Sequence, residues 1–273
     1  MSNLESFFHT VRLPPMTAVA QALIRTLDNE RAPIVEIRSL IAEDPALTAR
    51  LLRLANSAQF GLRRGVGTLD EAIAMVGIAR VRSLSLGACL NDSFSGLPGL
   101  DPKAFWRNSM VCAGYAHWLA SSLGIDSQVA WLTGLMLRLG ELLMVQARPD
   151  TMLEIEHQPC LPGQRWEREK RLLGFTEGEI TAELARRWNF PMQMVQALQR
   201  SADPVTDQAF SRLGAVIHLA AWLADAHVAA GDVSGAESLA DLPQDVVASL
   251  GLDLQGMQAS LPDADSFVEI SAV

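Results

Sequence analysis

Apolar positions recur along almost the whole chain at the three- and four-residue spacing of an α-helix, and no alternating strand pattern bounded by hairpin turns interrupts them. Leu47, Leu51 and Leu54 form one such stripe, while Arg50 and Arg53 project from another side of the same predicted helix. The abundance of Ala and Leu also favours helix. The pattern therefore predicts an all-α fold.

Helix start signals recur along this pattern. Asp44 and Asp101 each precede a proline, and proline suits the first helical position because its missing N–H has no partner there. The spacing of a capping box, in which a threonine and a later glutamate cap each other, occurs at Thr68 and at Thr176. We expect the helix after Asp44 to end near Asn56, and two long helices over residues 102–123 and 126–146 to form an antiparallel pair.

Several of these segments resemble the HDOD family, an output domain related to the HD phosphohydrolases. They are LPPMTAVAQAL at residues 13–23, DPALTARLLRLANSAQFG at 44–61 and TLDEAIAMVGIARVRSLSL at 68–86, and the likeness continues through 105–120, 134–143 and 172–191. The resemblance implies an all-helical fold found in regulatory proteins, usually bacterial, that have no settled enzymatic activity.

The resemblance also suggests how the chain is divided. Two prolines and two glycines interrupt the helical pattern at residues 93–102. We expect an N-terminal tail at 1–12 and an HDOD domain at 13–205, with an N-terminal lobe at about 13–95 and an HD-like lobe at about 101–205. Residues 206–273 then form an acidic helical extension packed on the HD-like lobe, and its end from residue 261 looks frayed.

An HD phosphohydrolase needs His and Asp ligands that converge on metal ions and activate a water. The resemblance places Asn108 where relatives carry a first histidine, and Leu137 and Arg138 where they carry the adjacent His-Asp pair. Leucine donates no lone pair, and a guanidinium repels a cation. The five histidines of the chain show no ligand spacing that replaces these residues. We therefore expect no bound metal, no cofactor, no catalytic residue and no enzymatic activity.

Charge is distributed unevenly along the chain. Residues 48–85 hold six arginines against two acids, residues 202–273 hold eleven acids against one arginine, and the whole chain has a net charge of -9. We expect the basic stretch to dock a protein partner of a signalling pathway, with Asn56 and Ser57 fixing the geometry where the helix meets the loop. The residues of this predicted surface are Arg50, Arg53, Asn56, Ser57, Arg63 and Arg64.

Other interpretations of the same residues stay open. The arginines can simply keep a helix face solvated, and Asn56 and Ser57 can be turn residues. The arginine cluster can instead belong to a nucleic-acid-binding regulator. The degenerate cleft around Asn108, Leu137 and Arg138 can bind a nucleotide, including a cyclic one, or retain phosphohydrolase activity.

Cysteine content and the absence of targeting signals favour the cytoplasm. The longest uncharged run, residues 108–125, contains Asn, His and Ser and is too short for a membrane span, and the N-terminus lacks the pattern of a secretory signal. Cys89, Cys112 and Cys160 are widely separated and fit reduced structural thiols. The identity of the partner, the upstream signal and the oligomeric state are left open by the sequence.

Overall fold

The fold is helical throughout the part of the chain that can be described. The computed structural model describes residues 3–29, 32–56, 65–94, 101–156, 161–205, 210–230, 239 and 241–268, and no β-strand occurs among them. The prediction of an all-α fold is therefore confirmed.

The first helix lies in the region predicted as the N-terminal tail, where Phe7 and Phe8 are buried, and the next five lie in the region predicted as the N-terminal lobe. Thr17 caps the second of these helices, because its hydroxyl accepts from the amide N–H of Ala20 at 3.1 Å. Asp44 caps the fourth in the same way, and that helix ends at Ala55, as predicted. Leu47 and Leu51 of the predicted stripe are buried, and the side chain of Leu54 lies outside the described part. The bounds are α1 Asn3–Thr10, α2 Ala18–Arg25, α3 Ile34–Ala42, α4 Pro45–Ala55, α5 Leu69–Val76 and α6 Ile78–Ser93.

The next seven helices belong to the region predicted as the HD-like lobe. Both capping boxes are present, with Thr68 and Glu71 starting α5 and Thr176 and Glu179 starting one of these later helices. The bounds are α7 Pro102–Ser122, α8 Ser127–Met136, α9 Leu139–Ala147, α10 Pro149–Glu156, α11 Gln164–Leu173, α12 Glu177–Arg187 and α13 Met192–Gln199. Helix α7, the longest in the described part of the chain, packs along α8, and the turn between them uses Gly124 at φ +65°.

The predicted single helix over residues 126–146 is wrong, because the chain breaks at Leu137 and Arg138 into α8 and α9. The hydroxyl of Thr181 causes this break by entering the helical ladder. It donates to the carbonyl oxygen of Leu137 and accepts from the N–H of Gly140, both at 2.8 Å. A side chain that takes over main-chain hydrogen bonds is a recognised cause of a helix break. The break brings Arg138 into the interior.

Helices beyond the region predicted as the HD-like lobe complete the main core. They are α14 Arg212–Ala230, α15 Gln244–Leu250, α16 Leu254–Gln258 and α17 Asp265–Val268. Helix α14 packs against α7, α8 and α13. The expectation of a frayed end is wrong for residues 265–268, because α17 packs on α7 and the ring of Phe267 lies over Gly114 and edge-on to Tyr115.

Apart from the main core, a small second cluster joins the end of α4 to α5. Its buried members are Ala55, Val66 and Ala72. The side-chain amide of Asn56 holds this corner, because it donates to the carbonyl oxygens of Leu52 and Val66 at 2.7 and 2.8 Å and accepts from the N–H of Val66. The corner is therefore a local unit with its own contacts.

One stretch of the described chain, Ser127–Ala147, has the length and apolar composition of a membrane-crossing helix. It comprises α8 and α9, and 89% of its most apolar part is buried inside the protein. Helices α5 and α6 pass the same test only as a pair, and they are bent by 116°. Burial of this kind is typical of a core helix.

Candidate functional site

A half-open cleft of about 370 Å³ lies where α7, α9, α11 and α14 approach each other. Arg138 enters it from the break between α8 and α9, and Asn108 enters it from α7. The remaining polar groups come from elements that are distant in sequence. The charged and polar lining includes Arg107, Asn108, Arg138, Glu141, Glu156 and Arg165.

Arg138 is only 4% exposed and is surrounded by carboxylates. Its Nη1 donates to Oε1 of Glu141 at 2.7 Å and lies 3.9 Å from Oε2 of Glu177, and its Nη2 donates to Asp225. Burying a guanidinium is tolerated only when opposite charges and hydrogen bonds compensate for lost hydration. The carboxylates of Glu141 and Asp225 supply that compensation.

Arg165 on α11 is the second cation of the same site. Its Nε donates to Glu169 at 3.0 Å and its Nη1 donates to Glu156 at 2.6 Å, while its Nη2 lies 3.4 Å from Oε1 of Glu141 without a hydrogen bond. Glu141 therefore faces both arginines. We call Arg138, Arg165 and the five acids around them the Arg138 network; the acids are Glu141, Glu156, Glu169, Glu177 and Asp225.

Carboxylates outnumber guanidiniums in the Arg138 network, and the acids respond differently to the excess. Burial opposes ionisation of Glu141, but Arg165 and Arg138 overcome it and lower its pKa to about 2. Burial raises the pKa of Glu169 to about 7, even with Arg165 beside it. Burial and the neighbouring acids raise the pKa of Glu177 well above its usual value. The network therefore relieves its negative excess by holding protons at Glu177 and, near neutral pH, at Glu169.

Two of the three residues predicted for the degenerate cleft meet in it. Asn108 and Arg138 both line the cleft, whereas the side chain of Leu137 is fully buried and packs towards Gly178 of α12. A buried guanidinium and a leucine do not fit a divalent cation. The described residues also contain no group of three or more His, Cys, Asp or Glu side chains arranged to hold a metal ion. We therefore derive no metal-dependent step for this cleft.

The predicted partner-binding residues are described only in part. Arg50 lies on α4 and its Nη1 donates to Asp92 at 2.5 Å, while Arg53 is exposed one turn later. Asn56 follows and holds the α4 corner as described above. Ser57, Arg63 and Arg64 lie outside the described residues. We call Arg50, Arg53 and Asn56 the α4 surface.

Next to the α4 surface, α3, α4 and α5 form an open groove of about 490 Å³. Ala42, Ala49 and Leu52 contribute its apolar lining, and the bidentate ion pair of Arg38 with Asp70 also lines it. Large apolar side chains are exposed on the same helices, with Ile34 and Val35 on α3 and Met75 on α5. Exposed apolar side chains beside a groove are typical of protein-binding surfaces.

Comparison with known proteins decides the family. A model of the HDOD domain matches residues 13–204. The chain belongs to the HDOD family. The match includes Asn108, Arg138 and Arg165 of the cleft, and it ends before α14, which supplies Asp225.

Solved structures share the fold of this HDOD chain over nearly its whole length. One is a Shewanella amazonensis protein provisionally named a phosphohydrolase, which is 26% identical with a TM-score of 0.80, the match covering 99% of this chain and 97% of that one. Another is a Marinobacter aquaeolei protein provisionally named a signal transduction protein, which is 23% identical with a TM-score of 0.78, the match covering 99% of this chain and 64% of that one. An uncharacterised Treponema pallidum protein is 26% identical over 192 residues, which are 68% of this chain and 37% of that relative.

Sequence reasoning found Arg138 and missed most of its partners. Arg165, Glu169 and Glu177 lie in strongly polar stretches, where charges usually face solvent. A usable signal was the pair Arg138 and Glu141, the only charges between residues 127 and 147 of an otherwise apolar stretch. Opposite charges spaced three residues apart in such a stretch indicate a buried ion pair.

Proposed function

We propose that this HDOD protein is a non-catalytic regulatory module of a bacterial signalling pathway, and that it acts in the cytoplasm by binding a protein partner. The groove between α3, α4 and α5 is the observation that carries the proposal. It is open, its lining includes the apolar Ala42, Ala49 and Leu52, and the helices that form it expose the large apolar side chains of Ile34, Val35 and Met75. Such a groove accepts the apolar face of a partner helix.

The charges beside the groove favour a partner with an acidic rim. Arg53 is exposed on α4, whereas Arg38 in the groove and Arg50 on α4 are each joined to an aspartate. An exposed charge at the rim of an interface mainly affects the association rate and specificity. We therefore expect Arg53 to attract the partner and the groove to hold it.

Non-catalytic action is proposed because of the chemistry of the cleft. Phosphohydrolase activity, suggested by the name of the Shewanella relative, needs metal ligands at a position where this chain buries Arg138. Residence in the cytoplasm is supported by Cys89 and Cys112, which are buried free thiols; Cys160 lies outside the described residues.

A nucleic-acid-binding role has weaker support. Arg38 and Arg50 are already paired with carboxylates, and the whole chain carries a net charge of -9. Phosphate binding needs cations that are free to release counterions from the nucleic acid. A regulator of that kind would show binding that weakens steeply with added salt.

The proposal is tested by quantitative affinity capture from native lysate at two salt concentrations. Arg53→Glu changes the α4 surface, and Arg148→Glu, at an exposed arginine beyond α9, is the matched control. We expect one protein to be captured by the wild type and the control, and at least fivefold less of it by Arg53→Glu. Capture of nucleic acid instead, or metal-dependent phosphodiesterase turnover by the purified protein, would refute the proposal.

A further inference from the structure

Helix α17 lies against one face of α7 and is attached there at two points. At the first point, the ring of Phe267 sits directly over Gly114, where an added Cβ atom would lie only 2.2 Å from Cγ of that ring. The ring also meets Tyr115 edge-on, with 5.3 Å between the two ring centroids. Because a side chain at position 114 would fill this space, the glycine leaves a notch in α7 that fits an aromatic ring.

The second point is an ion pair two turns earlier on α7. Nη2 of Arg107 donates to Oδ1 of Asp265 at 2.6 Å, and Nε2 of His227 on α14 lies 3.9 Å from the same oxygen. Arg107 and Gly114 are seven residues apart, so they lie on the same face of the helix, roughly 10 Å from each other along its axis. This face of α7 therefore offers a cation for an aspartate and a notch for a phenylalanine.

Both attachments are weak. The side chains of Arg107 and Asp265 are about half exposed, and exposed ion pairs contribute little to stability. Phe267 is only partly buried. The main-chain N–H groups of Ser266 and Phe267 donate to carbonyl oxygens three residues earlier, within the same segment. Detachment of α17 from α7 therefore breaks neither of these main-chain hydrogen bonds.

We propose that α17 is a displaceable strap that covers a peptide-binding site on α7. The peptide that fits this site belongs to a partner protein and carries an aspartate two residues before a phenylalanine, as Asp265 and Phe267 do. Such a peptide competes with α17 for Arg107 and for the notch at Gly114. Arg107 and His227 also line the cleft, so displacement of the strap frees two side chains of the cleft from Asp265. The site is separate from the groove of α3, α4 and α5, so either proposal can fail alone.

Titration of the whole chain with a synthetic peptide of residues 261–268, LPDADSFV, tests the proposal. The peptide carries para-fluorophenylalanine in place of its phenylalanine, so that fluorine NMR follows its binding at millimolar concentration. In the wild type, α17 competes for the site from within the same chain, at an effective concentration in the millimolar range. Phe267→Ala removes the ring that fills the notch, so it should bind the peptide about tenfold more tightly than the wild type does. A peptide with alanine in place of the aspartate that corresponds to Asp265 should bind about threefold more weakly, because it lacks the ion pair with Arg107.

Two further variants in the Phe267→Ala background test the location of the site. Gly114→Leu fills the notch, and the atoms nearest to an added Cβ there belong to the ring of Phe267, so the leucine takes the space of the ring that the background removes. Ala104→Leu, at an exposed alanine on the same helix, is the matched control. Peptide binding should be lost with Gly114→Leu and kept with Ala104→Leu. Absence of binding to Phe267→Ala, equal affinity of the wild type and Phe267→Ala, or equal binding by the two leucine variants would overturn the inference.

Discussion

Replacing Arg138 with methionine removes the central cation of the cleft while keeping a long, unbranched side chain. Glu141 then keeps only Arg165, at 3.4 Å, and Asp225 loses the ion pair that Arg138 provides. Removing one partner of a buried ion pair costs about 3–5 kcal/mol. Asp225 is 21% exposed and regains some hydration, so we expect a loss at the lower end, about 3 kcal/mol.

Urea unfolding followed by tryptophan fluorescence measures this loss, because Trp166 donates to Glu177 at the edge of the network. A loss of that size also lowers Tm by roughly 8 °C in a chain of this length. Asp225→Asn in the Arg138→Met background removes one uncompensated charge and should restore about 1 kcal/mol. The deficit should shrink from pH 8 to pH 5, because unpaired carboxylates take up protons.

The control is Arg107→Met, which breaks the ion pair of Arg107 with Asp265. Both side chains of that pair are about half exposed, and exposed pairs contribute less than about 1 kcal/mol. If Arg138→Met costs no more than this control, the idea that Arg138 compensates the buried acids is wrong.

Three further predictions concern the pKa of Glu169 and the close packing at Gly140 and Gly114. The pKa of Glu169 is raised to about 7, so between about pH 4.5 and pH 7 the folded state holds a proton that the unfolded state has released. The free energy of unfolding therefore falls as pH rises from 5 to 7. In Glu169→Gln, urea titrations should show a fall over this range that is smaller by roughly 2 kcal/mol. Gly140→Ala places a methyl group against the backbone carbonyl of α12 and should cost about 2–3 kcal/mol in the same assay. Gly114→Ala drives a methyl group into the ring of Phe267, so it should release α17, cost about 1–2 kcal/mol and speed proteolysis of the C-terminus.

Each of these predictions has its own control. An unchanged pH profile in Glu169→Gln would show that this acid is ionised in the folded protein. Gly67→Ala meets only an ordinary contact at 3.8 Å and should change stability by less than about 0.5 kcal/mol, so an equal effect of the two glycine variants would argue against close packing at Gly140. The cost of Gly114→Ala should vanish in a Phe267→Ala background, and persistence there would rule out a clash with that ring.

Local signals allowed much of the fold to be predicted. The predicted caps at Asp44, Asp101, Thr68 and Thr176 all form, because a cap depends on residues close together in sequence. The break at Leu137 and Arg138 depends on the hydroxyl of Thr181, which is 44 residues away from Leu137. No local pattern reports such a contact, so the sequence predicted one continuous helix.

In the candidate site too, some residues could be predicted from the sequence and others depend on contacts between distant elements. The resemblance to the HDOD family assigned Asn108, Leu137 and Arg138 to a degenerate cleft; Asn108 and Arg138 line one cavity, and Leu137 does not. The acids around Arg138 come from α9, α12 and α14, and only Glu141 is close to it in sequence. The groove of α3, α4 and α5 could not be predicted from the sequence either, because it depends on how three helices pack. Charge patterns indicated the α4 surface but not the apolar groove beside it.

Site-specific photo-cross-linking tests the central claim, binding of a protein partner at the groove, most directly. A photoreactive phenylalanine analogue replaces Ala49, an exposed residue of α4 in the groove, or Ala248, an exposed residue of α15 as the control. After irradiation in native lysate, we predict one protein cross-linked from Ala49 and not from Ala248, with the yield reduced by Arg53→Glu. The same proteins cross-linked from both positions, or none from Ala49, would contradict the claim.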